Sequence, residues 1–208
     1  VSVRSAVAWS MNMPAIRVME RIGGSTFVPM AQSIFGFQSP LDPVLSLALG
    51  SSAVSPMEMA QGYSVFMNGG NRYKPFGVRR VISPEGDVVR STNPQMVQSV
   101  LTPDVAEEMD GLLRAVVTEG TARRAQPVLN ARGKTGTTSD NRDAWFIGYT
   151  DRLLGVGWVA NEVPGPKSGP KWVYEPMSAA VFGGTVTIKI WTDVMKAAQE
   201  LIGEKKAE

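Results

Sequence analysis

The 208-residue sequence contains no histidine and no cysteine. Without histidine, neither a Ser-His-Asp nor a Cys-His catalytic arrangement can be assembled, nor a histidine-rich metal site. Without cysteine there are no disulfides and no thiolate chemistry, a composition that suits export into an oxidising compartment. Proton transfer in any acyl-transfer reaction must then fall to lysine, tyrosine or a carboxylate. Long apolar runs are missing too. No stretch approaches the roughly 18 consecutive apolar residues of a membrane span, and the opening VSVRSAVAWS lacks the layout of a signal peptide. Any membrane anchor or export signal is therefore expected outside this chain. Charge is nearly balanced, 21 Lys and Arg against 19 Asp and Glu for a net +2, with no basic run to track phosphates, so nucleic acid is not an expected partner.

What is present is enough apolar material, 43%, to bury a core as one domain or as most of a larger one. There is no internal repeat. Helical patterns dominate the first 120 residues. Val3, Val7 and Ser10 have helical spacing, and Asn12 with Pro14 marks a junction where one helix ends and another begins. Ser25 or Thr26 is expected to cap a helix after Gly23-Gly24. Ser55-Pro56-Met57-Glu58 is a capping box with proline at the first helical position, and Asn68-Gly69-Gly70 should stop that helix. Thr102-Pro103-Asp104 opens another, with Val105, Met109, Leu112, Leu113, Val116 and Val117 along one side. Strand patterns follow: a hairpin over 76–90 around Pro84-Glu85-Gly86-Asp87, then a meander of 132–138, 144–150 and 153–160. The Gly/Pro-rich segment 161–172 is expected to be a surface loop, and 188–202 has the period of an amphipathic closing helix. The fold class is α+β, helices packed on an antiparallel sheet.

The stretch 131–150, ARGKTGTTSDNRDAWFIGYT, holds two triplets familiar from serine acyl-transfer sites, Lys134-Thr135-Gly136 and Ser139-Asp140-Asn141. Lys134 and Ser139 lie five positions apart on strand and turn, about 16 Å at ~3.3 Å per residue, too far to face one small pocket. Ser139-Asp140-Asn141 instead has the composition of a strand-to-strand turn. The usable Ser-x-Asn is better sought in Ser10-Met11-Asn12. Taken alone, that triplet is a common coincidence, with Ser10 inside a helix and Asn12 capping the next before Pro14. Lys134 alone reads as a solvated lysine guarding an edge strand. A P-loop is excluded for Gly133-Lys134-Thr135, because Val128 stands where that motif needs glycine and no helix pattern follows.

Taken together, SMNMPAIRV (10–18), ALGSSAVSPMEMAQGYSVFMNGG (48–70), TEGTARRA (118–125), GKTGTTSDNRDAWFIGYT (133–150) and GVGWVAN (155–161) resemble the transpeptidase domain of class A, bifunctional penicillin-binding proteins. The resemblance runs from about residue 2 to about residue 195. It implies the β-lactamase/penicillin-binding transpeptidase fold and peptidoglycan cross-linking by serine acyl transfer. The donor would be a stem peptide ending in D-Ala-D-Ala, the inhibitors would be β-lactams, and no metal or organic cofactor is implied. It implies that Ser10 and Asn12 serve proton relay and substrate orientation, and that Lys134 supplies positive potential and hydrogen bonds. Thr135 and Thr137 would hold the substrate's terminal carboxylate, Gly136 would leave room for it, and the Thr137 N–H would be half of an oxyanion hole. A lysine that is partly desolvated has a lowered pKa, which makes histidine-free chemistry coherent. The expected location is the extracytoplasmic, periplasmic face of the bacterial inner membrane.

The family's acylated serine belongs to a Ser-x-x-Lys motif N-terminal to Ser-x-Asn. Ser25-Thr26-Phe27-Val28 has valine where lysine is required, and Ser168-Gly169-Pro170-Lys171 has a proline that forbids the helical turn. Residues 1–208 are therefore expected to be the C-terminal portion of a single transpeptidase domain. The N-terminal part, with the nucleophile, would lie on other polypeptide, either as a separate chain that stays associated after cleavage or as a portion removed by truncation. Phe182-Gly183-Gly184 and Lys189-Ile190-Trp191 depart from the family's usual threonine before the glycine pair and Ala-Pro before the tryptophan, so the closing helix is expected to pack differently. Two other readings share the pattern: a penicillin-binding relative that does not catalyse and acts as a binding or scaffolding module, and a serine β-lactamase.

Overall fold

The computed structural model describes residues 1–203. The chain opens with three helices, α1 (Val3–Ala8), α2 (Asn12–Ile22) and α3 (Gly24–Phe35). Ser2 starts α1 by accepting from the Ser5 N–H at 3.1 Å. The break between α1 and α2 falls at the expected junction, but its chemistry differs. Ser10 is not inside a helix; it stands between the two with φ 53°. Met11 takes the N-cap position, and Asn12 is the first helical residue rather than the cap. Helix α3 also starts differently, since Gly23 at φ 81° occupies the cap and Ser25 and Thr26 are already helical. The reason is steric: a Cβ on Gly24 would collide with the Pro43 carbonyl, so the turn is set by a glycine approaching another segment.

Helix α4 (Pro56–Met67) begins with the capping box read from its sequence. Ser55 Oγ accepts from the Glu58 N–H at 3.2 Å, and Glu58 Oε2 accepts from the Ser55 N–H at 2.8 Å. Glu58 also accepts from the Gln38 and Ser39 N–H groups at 2.8 and 2.7 Å, tying the end of α3 to the start of α4. Slight burial raises the Glu58 pKa, but the hydrogen bonds from Ser55 and Ser39 outweigh it and hold the carboxyl at about 2.

Four short strands follow, β1 (Asn71–Lys74), β2 (Arg80–Ile82), β3 (Val88–Ser91) and β4 (Gln95–Ser99). The expected hairpin is the β2–β3 pair, with Val81 opposite Arg90 and Gly86 at φ 96° in the turn. The β1–β4 pair encloses it and was not legible, because its polar strands show no alternation and their partners lie 20 or more residues apart. Helix α5 (Pro103–Thr118) then runs back to the core with Leu113, Val116 and Val117 buried, though Thr102 makes no side-chain cap.

The meander forms as read: β5 (Arg132–Thr137), β6 (Asp143–Tyr149) and β7 (Leu154–Ala160) make an antiparallel sheet with β6 in the centre and β5 at an edge. Lys134 faces Ile147 across the ladder, and Gly136 faces Trp145. The segment 161–172 is not loop throughout; β8 (Glu162–Pro164) pairs with β9 (Trp172–Tyr174), with Val163 opposite Val173, and only the turn between them is irregular. Ser168 and Lys171 sit in that irregular stretch and share no helical face.

Helix α6 (Ile188–Leu201) closes the fold on one face of the sheet. Its Trp191 packs edge-on against Phe146, ring centroids 4.9 Å apart, and donates Nε1–H to the Gly155 carbonyl at 3.0 Å. Glycines make this possible, since a Cβ on Gly148 or Gly155 would come within 2.8 or 2.7 Å of the indole. Phe146, Ile188, Trp191 and Met195 join Val116, Val117 and Val128 in the main core. Side chains alternate across the strand, so Tyr149 points to the opposite face, where its hydroxyl donates to Asp110 of α5 at 3.1 Å. Arg132 clamps the start of β5 between Asp110 and Asp151 at 2.9 and 2.8 Å, which ties the edge strand to α5.

Candidate acyl-transfer site

Lys134 extends from the middle of the edge strand β5, and its side chain meets Ser10, 124 residues away in sequence. The Nζ donates to Ser10 Oγ at 2.6 Å and to the Thr135 carbonyl at 3.0 Å. Burial lowers the Lys134 pKa to about 8, because desolvation disfavours the ammonium. Near neutrality the group is still mostly protonated, with one N–H left after these two bonds, and it can give up its proton at modest cost. Ser10 meets it from a left-handed backbone angle that non-glycine residues adopt rarely. The Ser10 and Met11 N–H groups bond back to the Val7 and Ala6 carbonyls at 3.2 and 2.9 Å, which fixes the direction of the serine. Asn12 lies in the first turn of α2, exposed to solvent, and its side chain makes no hydrogen bond among the described residues. The structure thus brings Ser10 and Lys134 into direct contact, while the Asn12 amide, exposed at the start of α2, makes no hydrogen bond to either.

The rest of the strand alternates. Thr135 and Thr137 point to the face opposite Lys134 and Gly136. The Thr135 hydroxyl shares a 2.8 Å hydrogen bond with the Thr121 hydroxyl, and Thr137 Oγ1 accepts from the Gly183 N–H at 3.1 Å. Accepting there leaves the Thr137 hydroxyl hydrogen available to an anion, and Thr137 is exposed. Gly136 has tight surroundings: a Cβ would meet Trp145 Cβ at 3.2 Å on its own side. On the other, Gly183 approaches so closely that its own Cβ would lie 2.5 Å from the Gly136 carbonyl oxygen. Larger residues at 136 or 183 would displace the strand.

The second triplet is a turn. Ser139–Asn141 forms a tight helical turn between β5 and β6, with Asp140 and Asn141 at φ 60° and 52°. The turn is closed by hydrogen bonds from the Asn141 N–H to the Thr138 carbonyl and from the Thr138 N–H to the Asp143 carbonyl, at 3.1 and 3.2 Å.

Sequence reasoning overlooked the residues that brace this strand. Asp143 Oδ2 accepts from the indole N–H groups of both Trp145 and Trp158, at 2.9 and 3.1 Å, and the two rings lie 5.7 Å apart. Its other oxygen is buried with no partner among the described residues. Period-two spacing puts Asp143 and Trp145 on one face, but Trp158 joins them only through the ladder register. Thr121, which reaches Thr135, carried no local signal beyond its place in TEGTARRA.

The family described as penicillin binding protein transpeptidase domain matches residues 1–182. Penicillin-binding protein 1A of Aquifex aeolicus (strain VF5) is 33% identical over 203 residues, covering 97% of this chain and 26% of that protein. The chain thus spans about a quarter of the length of the curated relatives it matches. The crystal structure of penicillin-binding protein 1A from Haemophilus influenzae superposes with a TM-score of 0.84 at 20% identity, over 100% of this chain and 36% of that one. The imipenem acyl-enzyme complex of penicillin-binding protein A from M. tuberculosis superposes with a TM-score of 0.72 at 20% identity, over 95% of this chain and 48% of that one. These solved structures share the α+β fold, helices on an antiparallel sheet, and the family match extends across both Ser10-Met11-Asn12 and the Lys134 strand. By descent as well as by architecture, the chain belongs to the penicillin-binding protein transpeptidase domain family.

Proposed function

We propose that this chain forms the Ser-x-Asn and Lys-Thr-Gly side of a peptidoglycan DD-transpeptidase cleft, which cross-links stem peptides and is acylated by β-lactams. The observation that supports it most is the 2.6 Å contact between Lys134 Nζ and Ser10 Oγ, which joins two sequence-distant motifs into one polar centre on an edge strand. Among the described residues no Ser-x-x-Lys lies on a helix. The reading therefore assigns the nucleophilic serine to polypeptide outside these residues, the N-terminal portion of the same domain. The donor peptide lies along β5 by strand addition, where backbone hydrogen bonds give affinity. Its terminal carboxylate is held by the Thr137 hydroxyl in the positive potential of Lys134, with Thr135 fixing the strand beneath, and Gly136 admits the peptide backbone.

In acylation the serine oxygen attacks the carbonyl of the penultimate D-alanine. The Thr137 N–H helps hold the oxyanion, a contribution of about 10²–10³ in rate for one such donor. The serine proton passes by way of the Ser10 hydroxyl to the nitrogen of the departing D-alanine as the amide C–N bond breaks. Asn12, with an unengaged amide, orients the peptide. An acceptor amine then attacks the ester, a new amide forms, and the serine recovers its proton. A β-lactam follows the first half, but its ring nitrogen stays tethered and blocks the acceptor. The reaction takes place on the extracytoplasmic face of the inner membrane, with the anchor outside this chain; among the described residues no helix is long and apolar enough to cross a membrane.

The test is covalent labelling with a fluorescent penicillin. In the full-length protein Lys134→Ala should abolish labelling, and unchanged labelling would refute the role given to Lys134. Residues 1–208 alone should remain unlabelled. A covalent adduct on them would overturn the placement of the nucleophile.

A further inference from the structure

The TEGTARRA segment, 118–125, has no part in the chemistry above, yet it lies between the two pieces of chain that form the polar centre. The Thr121 backbone N–H donates to the Ala8 carbonyl at 3.1 Å, two residues before Ser10. Its hydroxyl bonds the Thr135 hydroxyl at 2.8 Å, one residue after Lys134. A single residue therefore holds both segments whose side chains meet at 2.6 Å. Its neighbours keep the same registry. Gly120 lies so close to α1 that a Cβ would collide with the Ala8 carbonyl oxygen. Glu119 pairs with Arg4 at 2.6 Å, and the Arg123 guanidinium lies 5.4 Å from the centre of the Trp9 ring. The last two are exposed and individually weak, whereas the two Thr121 bonds sit at the centre of the junction. Ser10 is held at an unfavourable backbone angle, so it keeps its direction only while the end of α1 is fixed.

We propose that Thr121 is a positioning residue, bracing the end of α1 with its amide and the lysine-bearing strand with its hydroxyl so that Ser10 and Lys134 stay in contact. It touches neither substrate nor reacting atoms. Its effect comes through alignment, to which reaction rates are steeply sensitive. The inference rests on the acyl-transfer reading above, and the experiment separates the two.

The measurement is stopped-flow acylation of the full-length protein by a fluorescent penicillin, resolving the binding constant from the acylation rate constant. It compares the wild type with Thr121→Val, Thr121→Ser and Lys134→Ala, with melting temperatures alongside. Valine keeps the shape and the amide bond to Ala8 and removes only the hydroxyl. Thr121→Val should slow acylation about tenfold while binding stays within about twofold and the melting temperature holds, and Thr121→Ser should restore the rate. If Thr121→Val lowers the melting temperature, the serine variant decides: restored acylation supports the inference, and acylation lost in an intact serine variant contradicts it. Wild-type acylation by Thr121→Val with Lys134→Ala inactive would overturn the inference and leave the acyl-transfer reading standing. Wild-type labelling of Lys134→Ala would overturn both.

Discussion

Two regions of this molecule are built from short antiparallel strands, and they differ in nearly everything else. The strands of the 71–99 region, apart from β1, are exposed along their whole length, with Val81, Ile82, Val88 and Val89 open to solvent. In the meander, by contrast, β6 is buried almost end to end, pressed on one face by Phe146 against α6 and on the other by Tyr149 against α5. The lysine-bearing strand β5 is the edge of the second kind of sheet. An edge strand on an unpacked hairpin would flex, whereas β5 is fixed by a buried centre strand behind it, an arginine clamp at its start and Gly183 near its end. That rigidity is what a 2.6 Å contact with a side chain 124 residues away requires.

The contrast predicts a gradient of sensitivity. Trp191→Ala should cost the most, about 3–5 kcal/mol, because a large ring on the buried face of the sheet leaves a cavity that glycines cannot fill. Chemical denaturation of the full-length protein measures it, and a loss within ordinary surface values would mean that α6 does not brace the sheet. Gly155→Ala should cost about 1–3 kcal/mol by the opposite fault, driving a methyl into the same indole. Val89→Ala, on the exposed hairpin, should change stability by less than about 0.5 kcal/mol. A large loss there would show that the hairpin is packed against something in the full-length protein.

The parts of this gradient that could be read from sequence were the locally encoded ones. The Ser55 capping box, the turn at 139–141 and the three strands of the meander each declare themselves within a few residues, through caps, αL-tolerant residues or alternation. What escaped was set by distant contacts. The β1–β4 pair needs partners across an intervening hairpin, and the start of α3 is fixed by Pro43 rather than by Ser25 or Thr26. Asn12 was displaced from its expected cap because Met11 closes the junction and Ser10 takes the strained angle. The Ser10 and Lys134 motifs were recognisable because short blocks resembled a family in order. Their meeting, the Thr121 contacts that brace it, and the joining of Trp158 to Asp143 across the ladder depend on tertiary register that no window of sequence contains.

The central claim is that Ser10 and Lys134 act as one unit, and a double-mutant cycle on acylation tests it most directly. The residual acylation rate constants of Ser10→Ala, Lys134→Ala and the double variant would be measured in the full-length protein over long incubations with a concentrated fluorescent penicillin, well past the time at which Lys134→Ala shows no labelling in the simple assay. Groups that work as a unit are non-additive, so the double variant should be no slower than the slower single variant. Losses that multiply, the double variant slowed by the product of the two single effects, would contradict the account.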